Sequence, residues 1–239
     1  MTVHPSALVD PQAVVAEGAE IGPFCVLGPG VRIGPGCRLG PRVTIYGPVV
    51  LGRDNLLHPQ VTLGKPDGGA IQIGDGNVFR EFSNVDAARG ITTRIGSRNL
   101  LGTWVAVLSG SFVGNGVRVG AYSVIGENNI VEDDAWIEGL CVIEANRRIG
   151  RSSRIRSMAP VAIDVPPYAC VDGHPLEVQS VDPRRRTPLL DDAFEIAFRS
   201  GLAPAEAARK LKGLRPASPE VESLAEFLAA ARPAEAVDE

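Results

Sequence analysis

The side chains able to carry proton-transfer chemistry are few, because only three histidines occur in the 239 residues of the chain. An imidazole suits general-base catalysis near neutral pH, in which a side chain takes the proton of an attacking hydroxyl. His4, near the start of the chain, is expected to be structural, and His174 lies in a Gly-His-Pro stretch typical of a turn. His58 is expected on an exposed turn. The histidines alone therefore indicate no base.

Acidic and polar residues give a second set of candidates. Asp86 and Glu144 are candidate catalytic bases, since a carboxylate whose pKa is raised can accept a proton. Glu127 and Asn128 are candidates for substrate binding, and for all four the alternative is a solvated turn or strand face. Ser109 would act as a nucleophile only with a base beside it, and the sequence places none nearby.

The one basic cluster consists of Arg184, Arg185 and Arg186. Guanidinium groups match the geometry of phosphates, so the cluster is a candidate contact for a nucleotide or a phosphopantetheine arm. A solvated linker is the alternative. The formal net charge of −4 gives no electrostatic reason to expect a nucleic-acid partner.

Cysteine spacing and hydropathy argue against two further classes, zinc proteins and membrane-spanning proteins. The four cysteines lack the spacing of a zinc site, so no metal is expected, and Cys25, Cys37 and Cys141 share a repeat position suited to buried thiols. No apolar stretch reaches the roughly 18 to 20 residues that span a bilayer, and the N-terminus resembles no signal peptide. We therefore expect a cytoplasmic protein without a membrane span.

The scaffold that positions these candidate site residues is predicted by a six-residue repeat. Aliphatic residues recur at every sixth position, often followed by Gly, with a small or β-branched residue two places earlier. The pattern breaks near 65–69 and 87–92, and a fixed period of this kind predicts a repeat architecture in which the breaks are loops. The first uninterrupted series is Val15, Ile21, Leu27, Ile33, Leu39, Ile45, Leu51, Leu57 and Leu63.

The physical interpretation of this period is one short strand and one turn per six residues. Three such units close a triangular coil, and the aliphatic residues of stacked coils form ladders inside. The Gly after each aliphatic residue is expected to take the positive φ of a tight turn. Large aromatic residues are not expected to fit inside, which agrees with an aromatic content of 5%.

The C-terminal part has a different pattern, so we expect a β-helix over residues 1–178 and a helical domain over 179–239. Thr187-Pro188 and Ser218-Pro219 each place a capping hydroxyl before a proline at the first helical position. Ser200-Gly201 is typical of a helix end. The apolar faces of these helices are expected to cover the last coil of the same or a neighbouring subunit.

Eight segments, spread over the repeats and the tail, form a combination of motifs. They are Val3-His4-Pro5-Ser6-Ala7, Ile21-Gly22-Pro23-Phe24-Cys25, Gly52-Arg53-Asp54-Asn55, Ile73-Gly74-Asp75, Phe79-Arg80-Glu81, Ile95-Gly96-Ser97-Arg98-Asn99-Leu100-Leu101, Asp164-Val165-Pro166-Pro167-Tyr168 and Phe198-Arg199-Ser200-Gly201. Together these segments resemble the acyl-carrier-protein-dependent UDP-N-acetylglucosamine O-acyltransferases of lipid A synthesis, and the resemblance covers nearly the whole chain.

The resemblance implies a left-handed parallel β-helix of mostly β structure with an α-helical tail. It also implies a homotrimer with active sites between subunits, acyl-carrier protein or acyl-CoA as the acyl donor, a sugar-nucleotide acceptor and no bound cofactor. In that family a histidine acts as general base on the sugar hydroxyl.

The chain departs from the family at that histidine. Ala106 and Ser109 stand where the family has two histidines before a Val-Gly-Asn, and further family histidines fall on Asn128, on Glu144 and near Asp86. The loop after Gly64 is also shorter than the family's. Two hypotheses follow, namely an acyltransferase homologue with a different catalytic apparatus, and an inactive paralogue kept as a binding or scaffolding trimer.

Overall fold

The computed structural model describes residues 2–173 and 176–230, so the turn predicted at His174 lies outside the described residues. Most of the chain consists of short strands separated by turns. In chain order the strands are β1 (Thr2–Val3), β2 (Leu8–Val9), β3 (Val14–Val15), β4 (Glu20–Ile21), β5 (Val26–Leu27), β6 (Arg32–Ile33), β7 (Arg38–Leu39), β8 (Thr44–Ile45), β9 (Val49–Leu51), β10 (Leu56–Leu57), β11 (Thr62–Leu63), β12 (Ala70–Ile73), β13 (Val78–Phe79), β14 (Asn84–Val85), β15 (Thr92–Ile95), β16 (Leu100–Leu101), β17 (Ala106–Val107), β18 (Phe112–Val113), β19 (Arg118–Val119), β20 (Val124–Ile125), β21 (Ile130–Val131), β22 (Trp136–Ile137), β23 (Val142–Ile143), β24 (Arg148–Ile149), β25 (Arg154–Ile155), β26 (Pro160–Val161), β27 (Ala169–Asp172) and β28 (Glu177–Val181).

Every third strand pairs in parallel, which produces three sheets around a triangular interior. Sheet 1 runs β1-β4-β7-β10-β13-β16-β19-β22-β25-β27-β28, sheet 2 runs β2-β5-β8-β11-β14-β17-β20-β23-β26, and sheet 3 runs β3-β6-β9-β12-β15-β18-β21-β24. One coil leads to the next in strict register, so Thr2 pairs with Glu20 and Val3 with Ile21. The predicted fold class, a left-handed parallel β-helix with an α-helical tail, is confirmed.

The aliphatic ladder fills the interior as predicted, with one exception. Leu27, Ile45 and Leu101 are buried, and so is Phe79, the largest fully buried side chain. The expectation that large aromatic residues do not fit inside was therefore wrong at Phe79. Its partners in the adjacent coils are Leu57 and Leu101, so the interior accommodates a ring between two leucines of the ladder.

The buried cysteines behave as core thiols, which confirms that prediction. Cys25, Cys37 and Cys141 are fully buried, and burial raises the pKa of all three thiols. The Sγ of Cys25 donates to the carbonyl oxygen of Gly40 at 3.1 Å. These thiols fill the small inward positions and are not reactive groups.

The prediction that the glycine after an aliphatic residue takes positive φ holds at Gly64 (75°) but not at most turns. Gly22 and Gly34, which follow inward aliphatic residues, do not take positive φ. The positive φ falls two residues later, at Phe24 (58°) and Gly36 (71°). Gly34 is required instead by close stacking, because a Cβ there would lie 2.3 Å from the carbonyl oxygen of Gly52 in the next coil.

The two breaks in the repeat are loops, as predicted. They connect β11 to β12 and β14 to β15 in adjacent coils. The N–H of Gly69 in the first loop donates to the carbonyl of Ala87 in the second at 2.8 Å. The two loops therefore stack on each other between sheet 2 and sheet 3.

In the part of the chain that the structure describes, three α-helices follow the last strands: α1 (Pro188–Phe194), α2 (Pro204–Lys212) and α3 (Pro219–Ala229). The predicted caps are confirmed, since Thr187 Oγ1 accepts from the N–H of Leu190 and Ser218 Oγ accepts from that of Val221. Helix α1 continues as one π-helical turn (Glu195–Arg199) before Gly201. The sequence did not predict α2.

The tail packs on the end of the β-helix of the same chain. Leu190 and Leu224 belong to one continuous buried cluster with Val165 and Val171 of the last coil. The position expected to divide the two domains, residue 178, lies within β28, which pairs antiparallel with β27. Within residues 2–173 and 176–230, no helix is both long and apolar enough to cross a membrane.

The strict division between inward and outward positions gives a first prediction. Leu100 and Leu101 are neighbours in β16, but Leu100 is 42% exposed whereas Leu101 is fully buried. We expect Leu101→Ala to lower the free energy of unfolding by about 3 kcal/mol, because it leaves a cavity in the ladder, and Leu100→Ala by less than about 1 kcal/mol. Urea denaturation followed by circular dichroism measures both. Equal losses would contradict the assigned register.

Candidate functional site

The three sheets give the β-helix the form of a triangular prism. Five of the predicted site residues lie along one edge of this prism. The turns that connect sheet 2 to sheet 3 stack into a column, which we call edge 2–3. The N–H of Asn128 donates to the Ser109 carbonyl at 3.0 Å, and the N–H of Asn146 donates to that of Glu127 at 2.8 Å. The residues that this edge brings together are Asp86, Ser109, Glu127, Asn128 and Glu144.

Both carboxylates offered as bases on edge 2–3 already have partners. Asp86 Oδ2 lies 2.8 Å from Lys65 Nζ, and Asp86 Oδ1 accepts from the Ala87 N–H at 2.7 Å. Glu144 is exposed and lies 3.5 Å from Arg147. Glu127 and Asn128 are exposed on the same edge. Neither of the two carboxylates offered as bases is therefore unengaged.

The hydroxyl of Ser109 has a structural contact. Ser109 is buried, and its Oγ accepts from the N–H of Ala88 at 2.8 Å. This bond fastens the 86–91 loop to the turn of the next coil. Ser109 has no histidine or carboxylate among its hydrogen-bond partners in the described residues, so the arrangement does not activate it as a nucleophile.

The three arginines of the tail differ in their partners. Arg184 Nε donates to Asp182 Oδ2 at 2.7 Å, and its guanidinium lies 4.5 Å from the centre of the Trp136 ring. Arg186 pairs with Asp191 at 2.9 Å. Arg185 is 3.9 Å from Asp134, the longest of the three separations.

The cluster therefore holds the tail in place, and of the three only Arg185 has a loose carboxylate contact. A phosphate would have to displace the Asp182 carboxylate in order to bind the guanidinium group of Arg184. This makes Arg185 the residue best placed for an anionic ligand.

A groove of about 470 Å³ lies on the outer face of sheet 2. Outward side chains of three adjacent strands, Thr62, Asn84 and Ala106, form its floor. Phe82 and Trp104 border it and stack on each other, with ring centres 4.6 Å apart and planes 6° from parallel. Its remaining lining residues are Arg42, Gln60 and Val105.

The groove lies between two edges of the prism. Ala106 precedes Ser109 by three residues and Asn84 precedes Asp86 by two, so edge 2–3 lies beyond the floor residues on one side, although none of its residues lines the groove. The turns that connect sheet 1 to sheet 2, which we call edge 1–2, border the other side and carry Phe82 and Trp104. Flat aromatic surface with amide, hydroxyl and guanidinium groups suits a polar organic ligand such as a sugar.

Edge 1–2 also holds a histidine and a carboxylate in contact. His58 Nδ1 lies 3.0 Å from Glu81 Oε1, and both side chains are more than two thirds buried. The expectation that His58 lies on an exposed turn was therefore wrong, because Glu81 from the next coil covers it. The N–H of Glu81 itself and the Arg80 guanidinium lower the pKa of Glu81 to about 2, so this carboxylate stays ionised at working pH.

Sequence reasoning missed this pair because the coil length changes locally. In regular coils, residues stack on others 18 positions away, but the 64–69 loop pairs Leu57 with Phe79 instead. That register places His58 on Arg80 and beside Glu81. The sequence does contain a signal for this contact. If the aliphatic ladder is continued across the break so that Leu57 stacks on Phe79, His58 is predicted to lie beside Glu81.

Known proteins resemble this chain over most of its length. The family described as bacterial transferase hexapeptide (six repeats) matches residues 30–65. The acyl-[acyl-carrier-protein]–UDP-N-acetylglucosamine O-acyltransferase of Synechocystis is 30% identical over 203 residues, covering 77% of this chain and 73% of that protein. The protein of the same description from Anaeromyxobacter sp. is 33% identical over 171 residues, or 66% of each chain.

Solved structures of UDP-N-acetylglucosamine acyltransferases have the same fold as this chain. A UDP-N-acetylglucosamine acyltransferase from Bacteroides fragilis superimposes with a TM-score of 0.91 at 25% identity, covering 96% of this chain and 98% of that one. The Francisella novicida enzyme gives a TM-score of 0.89 at 24% identity and supports the fold alone. Repeat and fold thus define a hexapeptide-repeat acyltransferase homologue. The chain belongs to the family of acyl-[acyl-carrier-protein]–UDP-N-acetylglucosamine O-acyltransferases.

The arginine contacts give a second prediction. Asp182 is fully buried, so Arg184→Ala leaves its carboxylate without a charged partner, whereas Arg186 and Asp191 form an exposed pair. We expect Arg184→Ala to lower the free energy of unfolding by about 2 kcal/mol and Arg186→Ala by less than about 1 kcal/mol. Denaturant titrations of both variants measure the difference. A small and equal effect would show that Arg184 is not structural.

Proposed function

We propose that the chain is an acyltransferase that moves an acyl group from a thioester carrier to a hydroxyl of a sugar nucleotide. The observation that carries the proposal is likeness over the whole chain, with the helical tail included as well as the repeats. The names of the relatives specify acyl-[acyl-carrier-protein] and UDP-N-acetylglucosamine. Acyl-carrier protein or acyl-CoA is the donor in this proposal, and no resident cofactor takes part.

The groove on sheet 2 is the proposed acceptor site. Asn84 and Gln60 supply amide groups for hydroxyls, and Arg42 supplies a guanidinium for a phosphate. In this proposal the residues of edge 2–3 contact parts of the substrate outside the groove; they are Asp86, Ser109, Glu127, Asn128 and Glu144. Arg185 is the proposed contact for a phosphate of the donor or the nucleotide.

Assembly as a homotrimer is part of this proposal. The groove is shallow and open to solvent, and a second subunit packed against it would exclude water from the reacting groups. In this arrangement the substrates bind between subunits. The site of action is the cytoplasm, where acyl thioesters and sugar nucleotides occur.

A second candidate function is an inactive trimer retained for binding. Two observations favour it. Ala106 and Ser109 stand at the positions where the family has histidines, and the Ser109 hydroxyl is engaged in a hydrogen bond from the 86–91 loop. General-base catalysis is typically worth about 10²- to 10⁴-fold, so a chain without any base would show almost no turnover.

Turnover of the purified chain separates the two functions. We expect acylated UDP-N-acetylglucosamine, detected by mass spectrometry, when acyl-carrier proteins loaded with different chain lengths are supplied. Asp86→Asn and Glu144→Gln should each lower kcat/KM by up to about tenfold, which corresponds to one hydrogen bond to substrate, while the distant Glu20→Gln should not.

The binding-trimer alternative predicts the opposite pattern. It requires no turnover with any acyl length, and activity only after a histidine is introduced by Ser109→His, with or without Ala106→His. Native turnover would exclude this alternative, and its absence across donors and acceptors would exclude the acyltransferase.

A further inference from the structure

One edge of the β-helix exposes a column of large uncharged side chains. On edge 1–2 the residue at positive φ is aromatic or aliphatic in five successive coils, and it is between 37% and 72% exposed. Strands that pair in a sheet lie about 4.8 Å apart, so the column is about 20 Å long. A continuous apolar surface of this kind is typical of an interaction site. The members of the column are Phe82, Trp104, Tyr122, Leu140 and Met158.

The other two edges carry a different kind of residue at positive φ in the corresponding coils. These residues are glycine, small and polar, or charged, so they remain hydrated at little cost. They are Gly90, Gly110, Asn128 and Asn146 on edge 2–3, and Gly76, Arg98, Gly116, Asp134 and Ser152 on the turns that connect sheet 3 to sheet 1. Edge 1–2 is therefore the edge suited to burial.

The outer face of sheet 3 also exposes apolar side chains, but arginines border them. Phe112 and Ile130 occupy adjacent rungs, with Arg94 on the rung before them and Arg148 on the rung after them. Guanidinium groups on both sides favour contact with water over a dry interface. This face provides matched control positions for the column on edge 1–2.

The chemistry of the column indicates which partner covers it. In a cyclic assembly whose axis is parallel to the β-helix, each residue of an edge that faces the axis meets the same residue of the other copies. Charged side chains at such positions would repel one another, whereas large uncharged ones pack together. The turn residues that precede Tyr122, Leu140 and Met158 are Ala121, Gly139 and Ser157, which are small enough for close approach. A second copy of this chain is the partner that fits.

An axis along edge 1–2 also determines which faces of neighbouring subunits meet. Because the edge of a triangular prism is narrow, three copies fit around such an axis and bring the flanking faces together. Sheet 1 and sheet 2 flank this edge, so sheet 2 of one subunit faces sheet 1 of the next, and sheet 3 faces solvent. Rotation about the axis keeps each residue at its own level, so the groove on sheet 2 meets the part of sheet 1 that belongs to the same coils.

That part of sheet 1 is apolar. Leu56, Val78 and Leu100 occupy consecutive rungs, in the same three coils as Thr62, Asn84 and Ala106 of the groove floor. Leu56 is 37% exposed, Leu100 is 42% exposed and Val78 is partly exposed. These three residues lie outside the lining of the groove in their own chain. In the assembly they form an apolar wall opposite the floor of the neighbour's groove.

We propose that three copies of this chain assemble around an axis along edge 1–2, with sheet 2 of each subunit facing sheet 1 of the next. In this arrangement Leu56, Val78 and Leu100 of one subunit complete the groove of its neighbour. For the ligand of the groove, the inference rests on the proposed acyltransferase function. The contact between copies does not depend on that function.

Cross-linking tests the axis without any ligand. We expect Tyr122→Cys to give covalent dimers with a short bis-maleimide, because the axis brings copies of this residue together. Ile130→Cys, at a position 42% exposed on sheet 3, should give none. The wild-type chain measures the background from Cys170, the native thiol that is only partly buried. Absence of dimers with Tyr122→Cys, or equal yields from both variants, would overturn the axis.

A charge placed on the column tests its role in assembly. Leu140→Glu lies two coils beyond Trp104 and brings three carboxylates together, so we expect it to weaken assembly at least about 100-fold. Ile130→Glu adds the same charge to sheet 3 and should leave the trimer intact. Sedimentation equilibrium measures assembly, and circular dichroism measures folding. If Leu140→Glu does not fold, Leu140→Ser should still weaken assembly about tenfold, and an unchanged trimer in the folded variant would overturn the proposal.

Mixed trimers test whether two subunits share the groove. Asn84→Ala alters the floor and Val78→Glu alters the wall, and we expect each to weaken the binding of UDP-N-acetylglucosamine at least about tenfold in isothermal titration calorimetry. Trimers reassembled from equal amounts of the two variants should recover about one quarter of the native sites, because half of the floors and half of the walls are native. Val50→Glu, on sheet 3, should bind like the wild-type chain. Recovery of no native sites would overturn the shared groove.

The outcomes separate the contact between copies from the function of the groove. Cross-linking at Tyr122→Cys without ligand binding by the wild-type chain would support the axis and overturn the groove as the acceptor site. Ligand binding and turnover by a chain that does not assemble would overturn the shared groove and leave the acyltransferase standing.

Discussion

The backbone contact between successive coils is the constraint on which the rest of this structure depends. Each coil donates hydrogen bonds to the next, as from the N–H of His4 to the carbonyl of Ile21 at 2.9 Å, and the turns must approach as closely as the strands do. Gly34 shows the consequence, since any Cβ there would meet the backbone of Gly52. Side chains at equivalent positions therefore lie directly above one another. A functional site on such a scaffold is necessarily a column of residues from consecutive coils.

This constraint explains why much of the fold could be predicted from the sequence. The aliphatic period identifies the inward ladder without knowledge of any contact, because a residue that points inward in one coil does so in every coil. The loops were equally visible as breaks in the period. The positive φ was assigned to the wrong residue of the turn because the glycine at Gly22 serves close packing, and a sequence pattern does not distinguish these two requirements.

Contacts between outward side chains were less accessible to sequence reasoning. Four of the five candidates on edge 2–3, all except Glu127, stand at or near positions where the resemblance implies histidines, but the partners of two of them, Lys65 beside Asp86 and Ala88 beside Ser109, arise from the loop geometry. His58 and Glu81 meet only because the 64–69 loop lengthens one coil. A buried polar ladder was missed for the same reason: the side-chain amide of Asn77 donates to Asn55 Oδ1 at 2.9 Å, and the N–H of Asn99 donates to Asn77 Oδ1 at 2.9 Å.

The choice of residues at the strained turn position separates edge 1–2 from the other two edges. Large side chains with positive φ cost on the order of 1 kcal/mol each relative to glycine, and asparagine and aspartate tolerate this conformation best among the others. Most turns of edge 2–3, and most turns that connect sheet 3 to sheet 1, follow that preference, for example with Gly110, Asn128 and Gly116. Edge 1–2 instead carries aromatic and aliphatic residues at positive φ in five successive coils: Phe82, Trp104, Tyr122, Leu140 and Met158.

These five side chains are also exposed, so burial in the described chain does not offset their strain. Strain is thus retained at successive turns of edge 1–2 and largely avoided at the other edges. The stacked rings of Phe82 and Trp104 lie where this edge meets the groove and the turns of His58 and Glu81. Of the five strained turns, those of Phe82 and Trp104 therefore border the groove, whereas those of Tyr122, Leu140 and Met158 lie in coils beyond it.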